Sequence, residues 1–372
     1  LGTAATIGVA AVPVGFLAYF FAYPLISITV RGLSTNGTFD PTVFADVAGD
    51  PTLQGVALFT LWQAILSTIL TLAIGLPTAW VFARYRFRGR TVLFAATLVP
   101  FILPTLVVGT AFLNLFGPRG ATGIDLSGTL GIILIAHVFY NFAVVVRGVG
   151  TYWRRIDPSL VEAARTLGAS PWAAFRKVTF PLLSPAIAST AALVFLFSFT
   201  SFGVVLLLGD LRHSTIEVEI WRQATAFLRI DVAATLAVMQ IVGIGVILAI
   251  YGHFERATQH SFRTRIAPLR RPRAGRERWT VGGIIAAATL FLAVPLGILL
   301  GRSFVEPGGG FGPANYQNLW RLPEQSGAFV PAQTAIGNSF RFATIAIVIA
   351  SVIGLLAALT LSYAPRRASQ GF

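Results

Sequence analysis

Apolar residues dominate long stretches of this chain, and polar residues gather in short intervals between them. A helix of about 20 apolar residues crosses the hydrocarbon core of a bilayer. On that rule the pattern predicts eight spans, at about 5–30, 55–83, 92–116, 128–150, 184–208, 233–251, 280–301 and 337–363. The expected fold is an all-α integral membrane protein, a polytopic helical bundle. Pro77 predicts a kink in the second span. Pro100 and Pro104 lie deep in the third, where the carbonyls they free need partners on neighbouring helices. Before span 6, Ile216, Val218, Ile220 and Trp221 mix with Glu217, Glu219 and Arg222, a pattern for a helix lying at the outer interface.

One interval differs from the rest. Asp157 to Pro181 is a polar, basic island that reads as two short capped helices. Asp157 is placed to N-cap the first, Pro158 suits its first turn, and Gly168 fits just past its end. Ser170 and Pro171 repeat the opening, and Pro181 is expected to close the second helix. Leu160, Ala164 and Leu167 share one face of the first helix; Trp172, Phe175 and Val178 share one face of the second. Such an element at a membrane surface, here 151–181, is suited to docking.

Composition supports the membrane reading: 55% of residues are hydrophobic, 11% are charged, and the mean hydropathy is +0.75. The net charge of +14 raises the question of nucleic acid, but its distribution answers it. Twenty of the 28 basic residues fall in segments that one topology places inside, and ten of the 14 acidic residues fall outside. That asymmetry is the positive-inside rule, so the charge orients a multi-pass chain in its membrane, with lipid as a partner and no nucleic acid. The arginines of 252–278 form a basic linker beside the anionic cytoplasmic leaflet. Leu1–Val30 is too long for a signal peptide and reads as a span that has lost a short cytoplasmic leader.

After the linker the pattern begins again. Phe21-Ala22-Tyr23-Pro24-Leu25 matches Leu292-Ala293-Val294-Pro295-Leu296, and Ile74-Gly75-Leu76 corresponds to Ile353-Gly354-Leu355. The domain expectation is a first six-span unit over 1–251, the linker 252–278, and the start of a second, truncated repeat over 279–372.

Little here could carry out a reaction. Cysteine is absent, so there is no thiolate nucleophile or cysteine metal site. The one lysine, Lys177, lies outside any phosphate-binding Gly-Lys-Ser/Thr motif, and His213, His253 and His260 lack zinc-site spacing. No catalytic residue, metal or cofactor is expected in this chain. Essentially no Asp or Glu lies inside the predicted spans, which counts against an ion-driven carrier. His137 and Asn141 share a face of span 4, and Ser198, Thr200 and Ser201 form a polar run in span 5. These five either line a substrate path or tie helices together by hydrogen bonds. Gln63 and Trp62 in span 2 are weaker candidates of the same kind.

Glu162-Ala163-Ala164, then Gly168, then Val178-Thr179-Phe180-Pro181 resembles the "EAA" loop of permease subunits of binding-protein-dependent ABC importers. Val178 stands where many members have isoleucine. The resemblance implies a transport subunit rather than an enzyme. It also implies a cytoplasmic ABC ATPase dimer that binds ATP and Mg, and an extracytoplasmic substrate-binding protein. Carried onto this sequence, the ATPase-docking residues are Glu162, Ala163, Ala164, Gly168, Trp172, Phe175 and Pro181. The run from Leu134 to Asn141 and that from Thr215 to Ala224 look like thiamine permeases, in which two six-span halves are fused. Thiamine is therefore the expected substrate, with ferric iron or another small solute such as a polyamine as the alternative. An ion-coupled carrier, a membrane scaffold and a membrane enzyme are the rival classes.

Overall fold

The computed structural model describes residues 3–32, 34–35, 38–39, 42–259, 268–306, 308–320 and 331–363. The chain opens with α1 (Thr3–Leu17), a π-helical turn and α2 (Tyr23–Gly32), then a small hairpin of β1 (Ser34–Thr35) and β2 (Thr38–Phe39). A short α3 (Thr42–Gly49) precedes the long α4 (Pro51–Arg84). Next come α5 (Arg90–Ala96), α6 (Val99–Ile102), α7 (Thr105–Phe116) and α8 (Leu130–Arg155). The polar island Asp157–Pro181 forms α9 (Pro158–Thr166) and α10 (Pro171–Ala174), followed by α11 (Phe180–Phe199), α12 (Gly203–Leu208) and α13 (Ile216–Thr225). The last long helices are α14 (Ile230–Gln259), α15 (Arg276–Ser303) and, after a short α16 (Ala314–Gln317), α17 (Ala332–Tyr363).

Seven helices among the described residues are long and apolar enough to cross a membrane, and an eighth span results if the bent pair Arg90–Ile102 and Thr105–Phe116 is one. The eight-span pattern is therefore recovered, with two corrections. The third span is broken by a 102° bend. Leu103 is extended (φ −61°, ψ 141°), as expected of a residue before proline, and Pro104 opens the next helix as its N-cap. The fifth span ends at Phe199 rather than 208, because Thr200–Phe202 leave the helix and Gly203–Leu208 forms a separate short one. Pro77, by contrast, lies within the uninterrupted α4.

The described chain divides into two compact units, Gly32–Leu300 and the pair of segments Leu1–Arg31 with Gly301–Phe372. The larger unit is built around α4, α8 and α11. Phe82, Val108, Phe112, Phe139, Phe142 and Leu208 form its largest apolar cluster, which Ala288 and Leu292 of α15 also join. Gly75 of α4 meets α8 so closely that an added Cβ would lie 2.6 Å from Val145 Cγ1. In the smaller unit α1 packs against α17.

The linker is anchored just before α15. Arg86 N donates to the Arg270 carbonyl at 2.9 Å, and Arg270 N to the Arg84 carbonyl at 3.1 Å. Tyr85 Oη donates to Glu277, which also pairs with Arg270, while the Arg270 guanidinium lies 4.9 Å above the Tyr85 ring. Burial, reinforced by the bond to Glu277, pushes the Tyr85 hydroxyl up to about 12, so it remains a donor at physiological pH.

Candidate functional site: the docking hairpin and the buried polar cluster

The docking island folds as its caps dictate. Asp157 Oδ1 accepts from Ser159 N at 2.9 Å, and Ser170 Oγ accepts from Ala173 N at 3.2 Å. Each cap is followed by a proline in the first helical turn. Between the helices Gly168 is left-handed (φ +88°), and Ala169 N closes the first helix on the Ala164 carbonyl at 3.0 Å.

Pro181 does not close the second helix. Phe175–Thr179 winds as a π-turn, and Phe180–Phe199 continues from it, giving one helical run over Pro171–Phe199. A proline lacks an N–H and its ring crowds the carbonyl four residues back. The wider turn, in which Phe180 N donates to the Phe175 carbonyl, relieves that crowding without ending the helix. The second helix of the hairpin is thus continuous with a helix long and apolar enough to span a membrane.

The apolar faces expected to be shared are largely uncovered. Leu167 is 88% exposed and Trp172 67% exposed, and Leu160 is also exposed. Glu162, Ala163 and Gly168 are exposed and Ala164 is half-buried. Phe175 is half-buried, stacks on Trp172 with ring centres 5.5 Å apart, and also meets Trp153 of α8 and Phe180. An apolar depression of about 410 Å³, lined by Trp80, Trp153, Trp172 and Phe175 among others, lies beside these rings.

The five polar candidates separate into four and one. His137, 1% exposed, shares hydrogen bonds with Ser67 Oγ at 3.0 Å through Nδ1 and with Ser201 Oγ at 2.8 Å through Nε2. A neutral imidazole carries one donor and one acceptor, so two hydroxyls satisfy it. Asn141 Nδ2 donates to Ser198 Oγ at 3.3 Å. His137 and Asn141 on α8 thus meet Ser201 and Ser198 in antiparallel register. Thr200 stays apart, its hydroxyl turned back to the Leu196 carbonyl.

The cluster also takes in Gln63, a weaker candidate in the sequence, and Thr60, Ser67 and Thr215, which pattern reading missed. Gln63 Nε2 of α4 donates to the Ser198 carbonyl at 2.7 Å, while Trp62 faces outward. Thr215 Oγ1 donates to the Ser201 carbonyl at 2.8 Å, and Ile216 N donates to Thr60 Oγ1 at 2.9 Å, which binds the start of α13 to the bundle. The hydroxyls of Thr60, Ser67 and Thr71 recur along one side of α4. That stripe was a visible sign of a polar face. The outer helix itself is packed in, with Ile216, Val218 and Glu219 buried and Gln223 donating to Glu219 at 2.7 Å. Glu217 accepts from Gln240 at 3.0 Å, and burial raises its carboxyl above the usual range.

A sequence model of the family described as "Binding-protein-dependent transport system inner membrane component" matches residues 71–260, which hold the docking hairpin and most of the polar cluster. The chain belongs to this family. It is a multi-pass inner-membrane permease subunit of an ABC importer, a transport component rather than an enzyme. The sulfate transport permease CysT of Escherichia coli is 37% identical over 171 residues, 44% of this chain and 62% of that protein. The thiamine transport permease ThiP of Brucella abortus is 30% identical over 296 residues, 76% of this chain but 53% of that protein. The chain therefore spans between half and two thirds of the length of these two relatives. Among solved structures, a bacterial alginate ABC transporter in complex with alginate pentasaccharide-bound periplasmic protein shares the fold. Its TM-score is 0.56 at 18% identity, covering 66% of this permease and 92% of that chain.

Proposed function

We propose that this permease imports thiamine, receives it from an extracytoplasmic binding protein, and is driven by a cytoplasmic ATPase dimer that docks on the α9–α10 hairpin. The observation carrying the docking reading is the exposure of Leu167 and Trp172 on either side of the left-handed Gly168. Large apolar side chains held outward by two capped helices suit a partner's groove, as aromatic anchors do at interfaces. Glu162 is exposed for a charged contact, and Ala163 and Ala164 permit close approach. Because α10 runs through the π-turn into α11, a displacement of the hairpin passes directly into a membrane span. Phe175 against Trp153 links the same movement to α8.

Four of the five polar candidates, His137, Asn141, Ser198 and Ser201, act in this reading as a fastening of α4, α8 and α11. They are buried and mostly satisfied by one another, which suits a fixed joint better than a wet passage. Thiamine is favoured because the match to the thiamine permease extends over 296 residues, beyond the length of the sulfate match. Sulfate is the second reading, favoured by the higher identity of its permease.

The test is reconstitution of the whole permease with its ATPase and binding protein, reading ATP hydrolysis with thiamine, sulfate, ferric iron or no ligand. Stimulation by thiamine alone is expected; stimulation by sulfate or iron alone replaces the substrate. Gly168→Val is expected to abolish ATPase co-purification while the chain still inserts. Normal attachment and uptake by that variant would sink the docking reading whatever the substrate.

A further inference from the structure

The docking reading leaves unused a second feature of the arginine-rich end of the larger unit. Between the end of α4, the start of α5, the end of α8 and the returning linker lies a cavity of about 650 Å³. Arg86, Arg90 and Arg154 line it together with Phe87, Val92 and Leu269. No carboxylate is among its lining residues. Among the described residues the ion pairs are His213–Asp210, Arg222–Glu219 and Arg270–Glu277, so none of these three guanidiniums has an acidic partner. Arg90 gives one nitrogen to the Phe82 carbonyl at 2.9 Å, yet its Nε is buried and unpartnered, as is the Nε of Arg154.

Buried guanidinium N–H groups without acceptors are unfavourable, and three like charges around one cavity compound the penalty. An anion with several acceptor oxygens removes both, and arginine forks match phosphate geometry. The apolar part of the lining decides the source. Val92 is 74% exposed, and Phe87 and Leu269 are half-buried beside it. This pairing of guanidiniums with apolar side chains fits a headgroup attached to acyl chains better than a free ion. It also lies where a cytoplasmic leaflet would supply anionic lipid.

We propose that this cavity binds the phosphate of an anionic phospholipid, such as phosphatidylglycerol. The lipid supplies the counter-charge that the protein lacks and bridges the α4–α5 turn, α8 and the linker.

The experiment places the whole chain in nanodiscs of phosphatidylcholine with increasing phosphatidylglycerol and counts retained lipid by native mass spectrometry. Arg86→Gln with Arg154→Gln should weaken phosphatidylglycerol retention roughly 30-fold, the loss expected for two arginines at an anionic surface. Leu269→Glu keeps every arginine and should also expel the lipid. Arg88→Gln, at an exposed position outside the lining, should change retention less than about twofold. Retention by the double variant within twofold of the parent would overturn the proposal. So would displacement of the lipid by millimolar inorganic phosphate, which would make this a site for the free ion. Unchanged lipid retention with loss of ATPase attachment would hand the cavity to a protein partner instead.

Discussion

Helices α4 and α17 share an Ile-Gly-Leu sequence, at 74–76 and 353–355, and they are opposites in what they bury. In the most apolar stretch of α4 44% of residues are buried, and in that of α17 none. Aligning Gly75 with Gly354 sets Phe342, Ala346 and Ala350 of α17 against Gln63, Ser67 and Thr71 of α4. In that alignment the polar side chains that α4 gives to the buried joint have no polar counterpart on α17. Both helices have the length and apolarity needed to cross a bilayer, whereas the side chains that fix α4 to its neighbours are its own. Gly75 shows the same contrast: it lies against Val145, while an added Cβ at Gly354 meets nothing within 4 Å.

That contrast can be broken most sharply at the two glycines. Gly75→Val should destabilise the detergent-solubilised protein by about 1–3 kcal/mol through overpacking against Val145. Gly354→Val should fall within about 0.5 kcal/mol. Thermal unfolding of both variants reads the difference, and equal losses would remove the distinction. His137→Leu ranks second, with an expected loss of about 1–2 kcal/mol from withdrawing the shared partner of Ser67 and Ser201. The smallest effect is Ser67→Ala, which makes α4 resemble α17 at one position and should cost about 0.6 kcal/mol. A double-mutant cycle of Ser67→Ala with His137→Leu should be non-additive; strict additivity would mean that the bond at 3.0 Å contributes nothing.

The spans were legible because hydropathy reports length directly. The bend at Leu103 was not, because a run of apolar residues looks alike whether its helix is straight or broken. Pro104 was visible, but its place as the cap of a new helix depended on Leu103 becoming extended. The same limit explains Pro181. Local rules end a helix there, whereas the π-turn at Phe175–Thr179 accommodates it. The docking caps were read correctly because Asp157 and Ser170 act within three residues of themselves. In the polar cluster, His137 and Asn141 announced themselves by sharing a helix face, but their partners lie about 60 to 70 residues away. Spacing along one helix carries no information about such distant partners.

The Tyr85–Arg270–Glu277 clamp sets where α15 begins independently of the chain that leads to it. Backbone bonds at Arg84, Arg86 and Arg270 hold the linker before the first turn of that helix. The start of α15 is therefore registered on the end of α4, the two helices being joined through these backbone bonds and the one shared carboxylate of Glu277.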